Sequence, residues 1–216
     1  LIKQLLRLTI GSSGKYFGPL MRRVDSSLTI FALHDVTDEP SPFTEENSIW
    51  VSLENFRKQM EFIAANFNVI SMEHMLRGDL PTRAAVITFD DGYAGTFKNG
   101  LTTLRGMGLP STVFMNMSPV FGGNFWSERI FYLCGHVPSF AEFIFQNGVT
   151  DSIHPQLQCT QELVEAYEQE HGDGYFVDLQ QYLSPYVSAE QLSEADDDPL
   201  LTLGSHLYTH YNVRNL

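Results

Sequence analysis

The chain has 216 residues, of which 43% are hydrophobic and 18% are charged, a globular composition that argues against disorder. Its formal net charge of −13 argues against nucleic acid or an anionic membrane surface as a partner, because both need clustered Lys and Arg. The two cysteines, Cys134 and Cys159, form no CxxC motif. They predict buried free thiols, with one bridge between them as the alternative.

The length predicts a single domain over residues 1–216. Residues 1–25 begin with an apolar-basic stretch that predicts an amphipathic helix. Lys3 and Arg7 interrupt its apolar run, which is too short for a membrane span. We therefore predict no transmembrane span and no clear signal peptide, and the oligomeric state stays open.

Residues 26–35 predict a strand that is buried on both faces and ends in polar residues. A loop rich in Pro, Asp and Glu follows over residues 37–48. Ser52 then caps a helix whose apolar residues recur at spacings of three and four, which predicts one core-facing stripe. A short strand over residues 68–71 and a small helix over residues 72–76 come next.

Residues 84–91 and 110–118 predict two further strands, separated by a helix that ends at Gly106 or Gly108. Alternation of strands and helices indicates parallel strands with crossover helices, in either an α/β barrel or a doubly wound sheet. Residues 119 to about 199 interrupt this alternation and predict a helical insertion. Strand character returns over residues 200–210 and leads into a helix or loop.

Polar pairs follow three of the predicted strands: His34-Asp35, Asp90-Asp91 and Ser205-His206. The carboxyl ends of parallel strands meet at one edge of a sheet, where ligands and catalytic groups gather. Asp91-Gly92 alone indicates a solvated turn, yet the following residues favour a strand-to-helix junction over a hairpin. At such a junction one carboxylate can bind a cation that offsets the repulsion between the two.

His206 and His210 have the i, i+4 spacing that places two imidazoles on one helical face, although a surface or capping pair has the same spacing. No Glu lies between them, which excludes the metalloprotease motif. One Asp and two His would form a catalytic metal site with open positions, and a second carboxylate could act as general base. His34 alone indicates a hydrogen-bonded core or cleft histidine.

The aromatic segment around Trp126 predicts a hydrophobic core within the insertion. A surface on which sugar rings stack is the less favoured alternative. The remaining histidines have no partners in the sequence pattern and predict surface positions. These are His74, His136, His154 and His171.

Two segments resemble motifs of the polysaccharide deacetylases of the NodB-homology, carbohydrate esterase 4 type. TFDDGY at residues 88–93 resembles their first motif, and GSHLYTH at residues 204–210 resembles their second, except that Leu207 replaces the usual Ser or Thr. The resemblance implies a distorted (β/α)7 barrel, here incomplete at its C-terminal side because later motifs are absent before Leu216. We therefore expect the chain to be part of a longer protein.

The resemblance also implies site residues. Asp90 would be the general base, and Asp91, His206 and His210 would bind a divalent metal, usually zinc. FALHDV resembles a segment of the branch that acts on exported poly-N-acetylglucosamine, and it implies His34 as the general acid.

The implied activity is hydrolytic removal of N-acetyl groups from an amino-sugar glycan. The implied chemistry uses the metal to polarise the acetamide carbonyl and bind the attacking water. The alternatives are O-deacetylation or amidohydrolysis of a small molecule, and a non-catalytic carbohydrate-binding relative.

Overall fold

The structure is a computed structural model that describes residues 28–78, 80–123 and 125–210. The helix predicted for residues 1–25 lies outside these residues. The described strands are β1 (Thr29–Leu33), β2 (Asp35–Val36), β3 (Trp50–Val51), β4 (Asn68–Val69), β5 (Ala84–Asp91), β6 (Ser111–Met115) and β7 (Leu201–Ser205). The described α-helices are α1 (Pro42–Glu46), α2 (Leu53–Asn66), α3 (Met72–Arg77), α4 (Thr102–Met107), α5 (Met117–Val120), α6 (Trp126–His136), α7 (Pro138–Gln146), α8 (Gln161–His171), α9 (Phe176–Tyr182) and α10 (Ala189–Asp196).

The main sheet is parallel throughout, with strand order β1-β5-β6-β7, and β4 pairs with the first residues of β5. The predicted α/β class with parallel strands is therefore confirmed. Over the described ranges the strands form an open sheet and do not close into a barrel. A second, two-stranded parallel sheet pairs β2 with β3.

The central strand is β5, and its apolar run explains its position. From Ala84 to Phe89 its residues are buried, because β1 and β6 flank it and helices cover it. The prediction that the first strand is buried on both faces is wrong. β1 lies at the sheet edge beside β5 alone. Its burial alternates along the strand, so only one face is covered, and Ile30 is 53% exposed.

The predicted amphipathic helix is α2, and it covers the sheet through its apolar stripe. The Ser52 side chain accepts a hydrogen bond from the Asn55 backbone N–H, which caps the first turn. Phe56, Met60 and Ile63 are buried in the same cluster as the side chains of β5. Full burial of such side chains stabilises a fold by about 1.5–3 kcal/mol each.

The segment predicted as a loop over residues 37–48 contains a short helix, α1. Ser41 caps it and Pro42 stands at its first position, where the missing N–H costs no hydrogen bond. Five residues are too few for a helical periodicity in the sequence. After β5 the chain forms a π-helical turn (Thr96–Leu101) and then α4, which ends at Gly108 in the left-handed conformation (φ 67°).

The predicted helical insertion is observed as α5 to α10, between β6 and β7. Trp126 is buried in a cluster of the insertion's own side chains, as the sequence predicts. Cys134 and Cys159 are free thiols in this cluster, with their Sγ atoms 3.7 Å apart. The four histidines without predicted partners are exposed.

A third apolar cluster joins the insertion to the sheet side of the molecule. It contains Phe43 of α1 and Tyr93, together with Tyr132, Leu179 and Tyr182 from α6 and α9. Across the described ranges, no helix has the length and apolarity that crossing a bilayer requires.

Candidate metal centre

The three polar pairs lie at the ends of β1, β5 and β7, and β6 lies between β5 and β7 in the main sheet. β5 ends at Asp91, and its neighbours β6 and β1 end at Met115 and Leu33. The backbone N–H of His206, directly after β7, donates to the Met115 carbonyl at 2.8 Å. This bond fixes the start of the 206–210 loop on the end of β6.

Asp91, His206 and His210 converge so that their ligand atoms all lie within 4.8 Å of one another. Asp91 Oδ1 is 3.7 Å from His206 Nε2 and 3.8 Å from His210 Nε2, and the two Nε2 atoms are 3.0 Å apart. Two ligand atoms bound to one tetrahedral zinc ion are about 3.4 Å apart, since each lies about 2.0–2.1 Å from it. The described residues therefore fit a single divalent ion.

Asp91 is held by its backbone as well as by its neighbours. Its φ of 75° lies in the left-handed region, which is strained for a residue with a side chain. The chain therefore leaves the extended strand conformation at this residue. Asn116, which follows β6, donates from Nδ2 to Asp91 Oδ1 at 2.9 Å and orients the carboxylate.

The two histidines lie on a loop, which corrects the helical geometry suggested by their spacing. Leu207 and His210 both have positive φ, 69° and 55°, so the chain turns tightly between the ligands. Tyr208 accepts a hydrogen bond at its carbonyl from the Ser118 backbone N–H, at 2.9 Å. The i, i+4 spacing thus identifies the right pair, but the sheet edge and α5 bring the two rings together.

Burial changes the protonation of the cluster in the absence of a cation. Burial and, secondarily, the charge of Asp90 raise the pKa of Asp91 to about 7, although the hydrogen bond from Asn116 opposes this shift. Burial, together with the proximity of His206, lowers the pKa of His210 to about 4. A neutral imidazole is the form that binds a metal, and a cation would favour the ionised form of Asp91.

Asp90 and His34 lie beside this cluster and are half-buried. Burial lowers the pKa of His34, the negative charge of Asp90 raises it, and the proximity of His206 lowers it further. The charge of Asp90 also acts on His210 and Asp91. All five predicted site residues therefore interact at one edge of the sheet.

Several side chains at this edge were not predicted from the sequence. Asn116 stands directly after a strand, a position that could have identified it. Ser127 contacts His210 from the insertion, with Oγ 2.5 Å from Nδ1. Glu128 is fully buried, and burial raises its pKa to about 8 even though its carboxyl group accepts a hydrogen bond from the Ser184 backbone N–H.

The backbone around Gly92 is also held by the insertion. Val187 donates to the Gly92 carbonyl at 3.1 Å, and Ala94 donates to the Pro185 carbonyl at 2.9 Å. Tyr93 and Tyr186 form an antiparallel bridge, with their rings stacked at 5.0 Å. No local sequence pattern relates residues so far apart in the chain.

No protein-family model matches the chain, and no curated protein matches it in sequence. Among solved structures it is similar to IcaB from Ammonifex degensii, with 14% identity and a TM-score of 0.49 over 83% of this chain and 52% of that one. A de-N-acetylase from Aggregatibacter actinomycetemcomitans matches with 18% identity and a TM-score of 0.46, over 83% and 54% of the two chains. The BpsB deacetylase domain from Bordetella bronchiseptica matches with 17% identity and a TM-score of 0.40, over 83% and 54%.

The chain spans about half the length of these three structures. Two of them are named as deacetylases, the type of protein that the two sequence motifs resemble. All three TM-scores lie below 0.5.

Proposed function

We propose that the chain is a metal-dependent hydrolase that removes N-acetyl groups from an N-acetylated amino-sugar glycan. The observation that supports this proposal is the convergence of one carboxylate and two imidazoles, with a second carboxylate beside them. Two nitrogen ligands and one oxygen ligand leave positions open for water and substrate, as in catalytic zinc sites. Zinc is the proposed ion because imidazole and carboxylate are among its usual ligands.

When bound, the ion would supply Lewis acidity, which polarises the acetamide carbonyl and lowers the pKa of water to about 7. Asp91, His206 and His210 would hold it. Asp91 would stay ionised beside the cation, and Asn116 would keep one carboxylate oxygen in place through its 2.9 Å hydrogen bond.

Asp90 would act as the general base and take a proton from the attacking water. It is suited to this role because it is half-buried beside the cluster and is not one of the three converging ligands. A carboxylate that bound the ion directly would lose this basicity. The two adjacent aspartates therefore have different proposed roles.

His34 would act as the general acid and give a proton to the leaving amine nitrogen. Burial favours its neutral form, whereas the charge of Asp90 favours its protonated form.

A neutral N-acetylated sugar is compatible with the acidic surface implied by the net charge of −13.

Metal content and acetate release from chito-oligomers test this proposal. We expect the wild-type chain to bind zinc and release acetate. Asp90→Asn should retain zinc but lose about 10²–10⁴-fold in kcat, the usual contribution of a general base. Asp91→Ala should lose zinc binding, and the exposed Asp173→Asn should behave like the wild type.

Other outcomes would identify the alternatives or reject the site. Absence of metal binding at saturating zinc would show that the ligand assignment is wrong. Release of acetate from O-acetylated substrates alone would indicate an O-deacetylase. Zinc and glycan binding without any acetate release would indicate a non-catalytic relative. Unchanged activity in His34→Ala would reject only the general-acid role.

A further inference from the structure

We propose that Ser127 is a positioning residue that orients His210 for metal binding. This inference rests on the proposed metal site and extends it to the helical insertion. Ser127 Oγ lies 2.5 Å from His210 Nδ1, on the side of the ring opposite Nε2. Nε2 is the atom that faces Asp91 Oδ1 at 3.8 Å and His206 Nε2 at 3.0 Å.

The chemistry of imidazole determines the direction of this hydrogen bond. A neutral imidazole carries one proton, and the nitrogen without it has the lone pair that a metal binds. If Nδ1–H donates to Ser127 Oγ, Nε2 is left free for the ion. Ser127 thus selects the tautomer and fixes the rotation of the ring, as partners of metal-bound histidines usually do.

His210 needs such a partner because the other contacts of its ring do not select one ring nitrogen. It has a positive φ of 55°, and the ring of Phe125 packs against it at a centroid distance of 5.1 Å. An aromatic contact limits the tilt of the ring but does not distinguish Nδ1 from Nε2. Within the described part of the chain, the only hydrogen-bonding side chain at Nδ1 of His210 is that of Ser127.

Ser127 is itself held rigidly, because it lies in the first turn of α6. The neighbouring Glu128 is fully buried, and its Oε1 accepts from the Ser184 backbone N–H at 3.1 Å. Ile130 and Leu133, further along α6, are buried in the core of the insertion. The hydroxyl group is therefore presented from a packed helix and not from a loose loop.

Zinc affinity, measured by competition with a chelator, tests the role of Ser127. Loss of an outer partner of a ligand typically weakens metal binding 10–100-fold, so we expect that loss in Ser127→Ala. Ser127→Thr retains a hydroxyl group and should recover most of the affinity. Ser193→Ala, an exposed serine on α10, is the matched control and should bind zinc like the wild type.

Nitrogen-15 NMR of the zinc-loaded wild type gives a second measurement that needs no variant. We expect His210 to carry its proton on Nδ1 and to bind through Nε2. Metal binding through Nδ1 would overturn the inference, as would a Ser127→Ala affinity within twofold of the wild type. If the wild type bound no zinc, both this inference and the proposed function would fail. Retained zinc binding and acetate release with unchanged Ser127→Ala affinity would reject this inference alone.

Discussion

The main sheet and the helical insertion each bury an apolar core, but they contribute different groups to the candidate site. β5, β6 and α2 pack through aliphatic and aromatic groups such as Ile87, Phe89 and Phe56. In the insertion, α6 buries Glu128. Burial raises the pKa of Tyr93, and the charges of Asp91 and Glu128 raise it further. The sheet side supplies the proposed ligands, and the insertion adds Ser127 beside His210.

Both regions contain buried carboxyl groups. Among the described residues Asp35, Asp91 and Glu128 are buried, and burial raises their pKa values to about 6, about 7 and about 8. Asp35 and Asp91 are on strands, and Glu128 is on α6. All three lie on segments that surround the sheet edge, so the cost of burying them is concentrated at the candidate site.

Loss of a large core side chain should have the greatest effect in either region. Phe89→Ala in β5 and Phe140→Ala in α7 should each lower the free energy of unfolding by about 3–5 kcal/mol, because both side chains are fully buried. The cluster of Phe43 with Tyr182 and its neighbours joins the regions, so urea unfolding should remain a single transition. Two separate transitions would show that the insertion folds independently of the sheet.

Replacement of Glu128 by Gln should change how stability depends on pH. Burial raises the pKa of Glu128 from 4.5 to about 8. The stability that the wild type gains from the protonated carboxyl group is therefore complete below pH 4.5 and is lost as the pH rises through about 8. In metal-free protein, the free energy of unfolding of Glu128→Gln should therefore rise by roughly 3 kcal/mol relative to that of the wild type between pH 5 and pH 8, at about 1.4 kcal/mol per pKa unit.

Urea unfolding at several pH values measures this change. Glu61→Gln, on the exposed face of α2, is the control and should parallel the wild type at every pH. A Glu128→Gln curve parallel to that of the wild type would contradict the prediction, since it would mean that the carboxyl group is ionised in the folded protein.

Removal of an ion pair should change the free energy of unfolding by a smaller amount, and more in the insertion than on α2. Arg129 is half-buried in the insertion, donates to the Tyr175 hydroxyl at 2.9 Å and to Glu168, and lies over the Phe176 ring. Arg129→Met should lower the free energy of unfolding by about 1.5–3 kcal/mol, the usual value for hydrogen bonds to charged groups.

Lys58 on α2 makes an exposed ion pair with Glu54, so Lys58→Met should leave the urea midpoint unchanged. Equal losses of stability in the Arg129 and Lys58 variants would remove the distinction between the two regions. The same urea titration, with both variants measured at one pH, provides the comparison.

The sequence predicts the sheet well because long apolar runs and alternating elements carry local information. The run from Ala84 to Phe89 identifies β5, and the capped stripe after Ser52 identifies α2. The edge position of β1 was missed because burial depends on neighbouring strands, which the strand's own composition does not reveal.

The candidate site was predictable to the extent that its residues follow strands. Asp91 and the two histidines are recognisable from residue type and spacing, and the structure brings them together. Ser127 could not be predicted, because its contact depends on how α6 packs beside the 206–210 loop. Neither spacing nor composition contains that tertiary information.

The position of the insertion has a consequence for the order of folding. β6 and β7 are paired neighbours, yet all the helices of the insertion lie between them in the chain. Closing so long a connection is slow unless the intervening helices condense first, because non-local pairing carries a high loop-closure cost. β7 would then pair with β6 late, and His206 and His210 would reach Asp91 only at that stage. A metal bound by these residues would therefore mainly slow unfolding and leave the folding rate little changed.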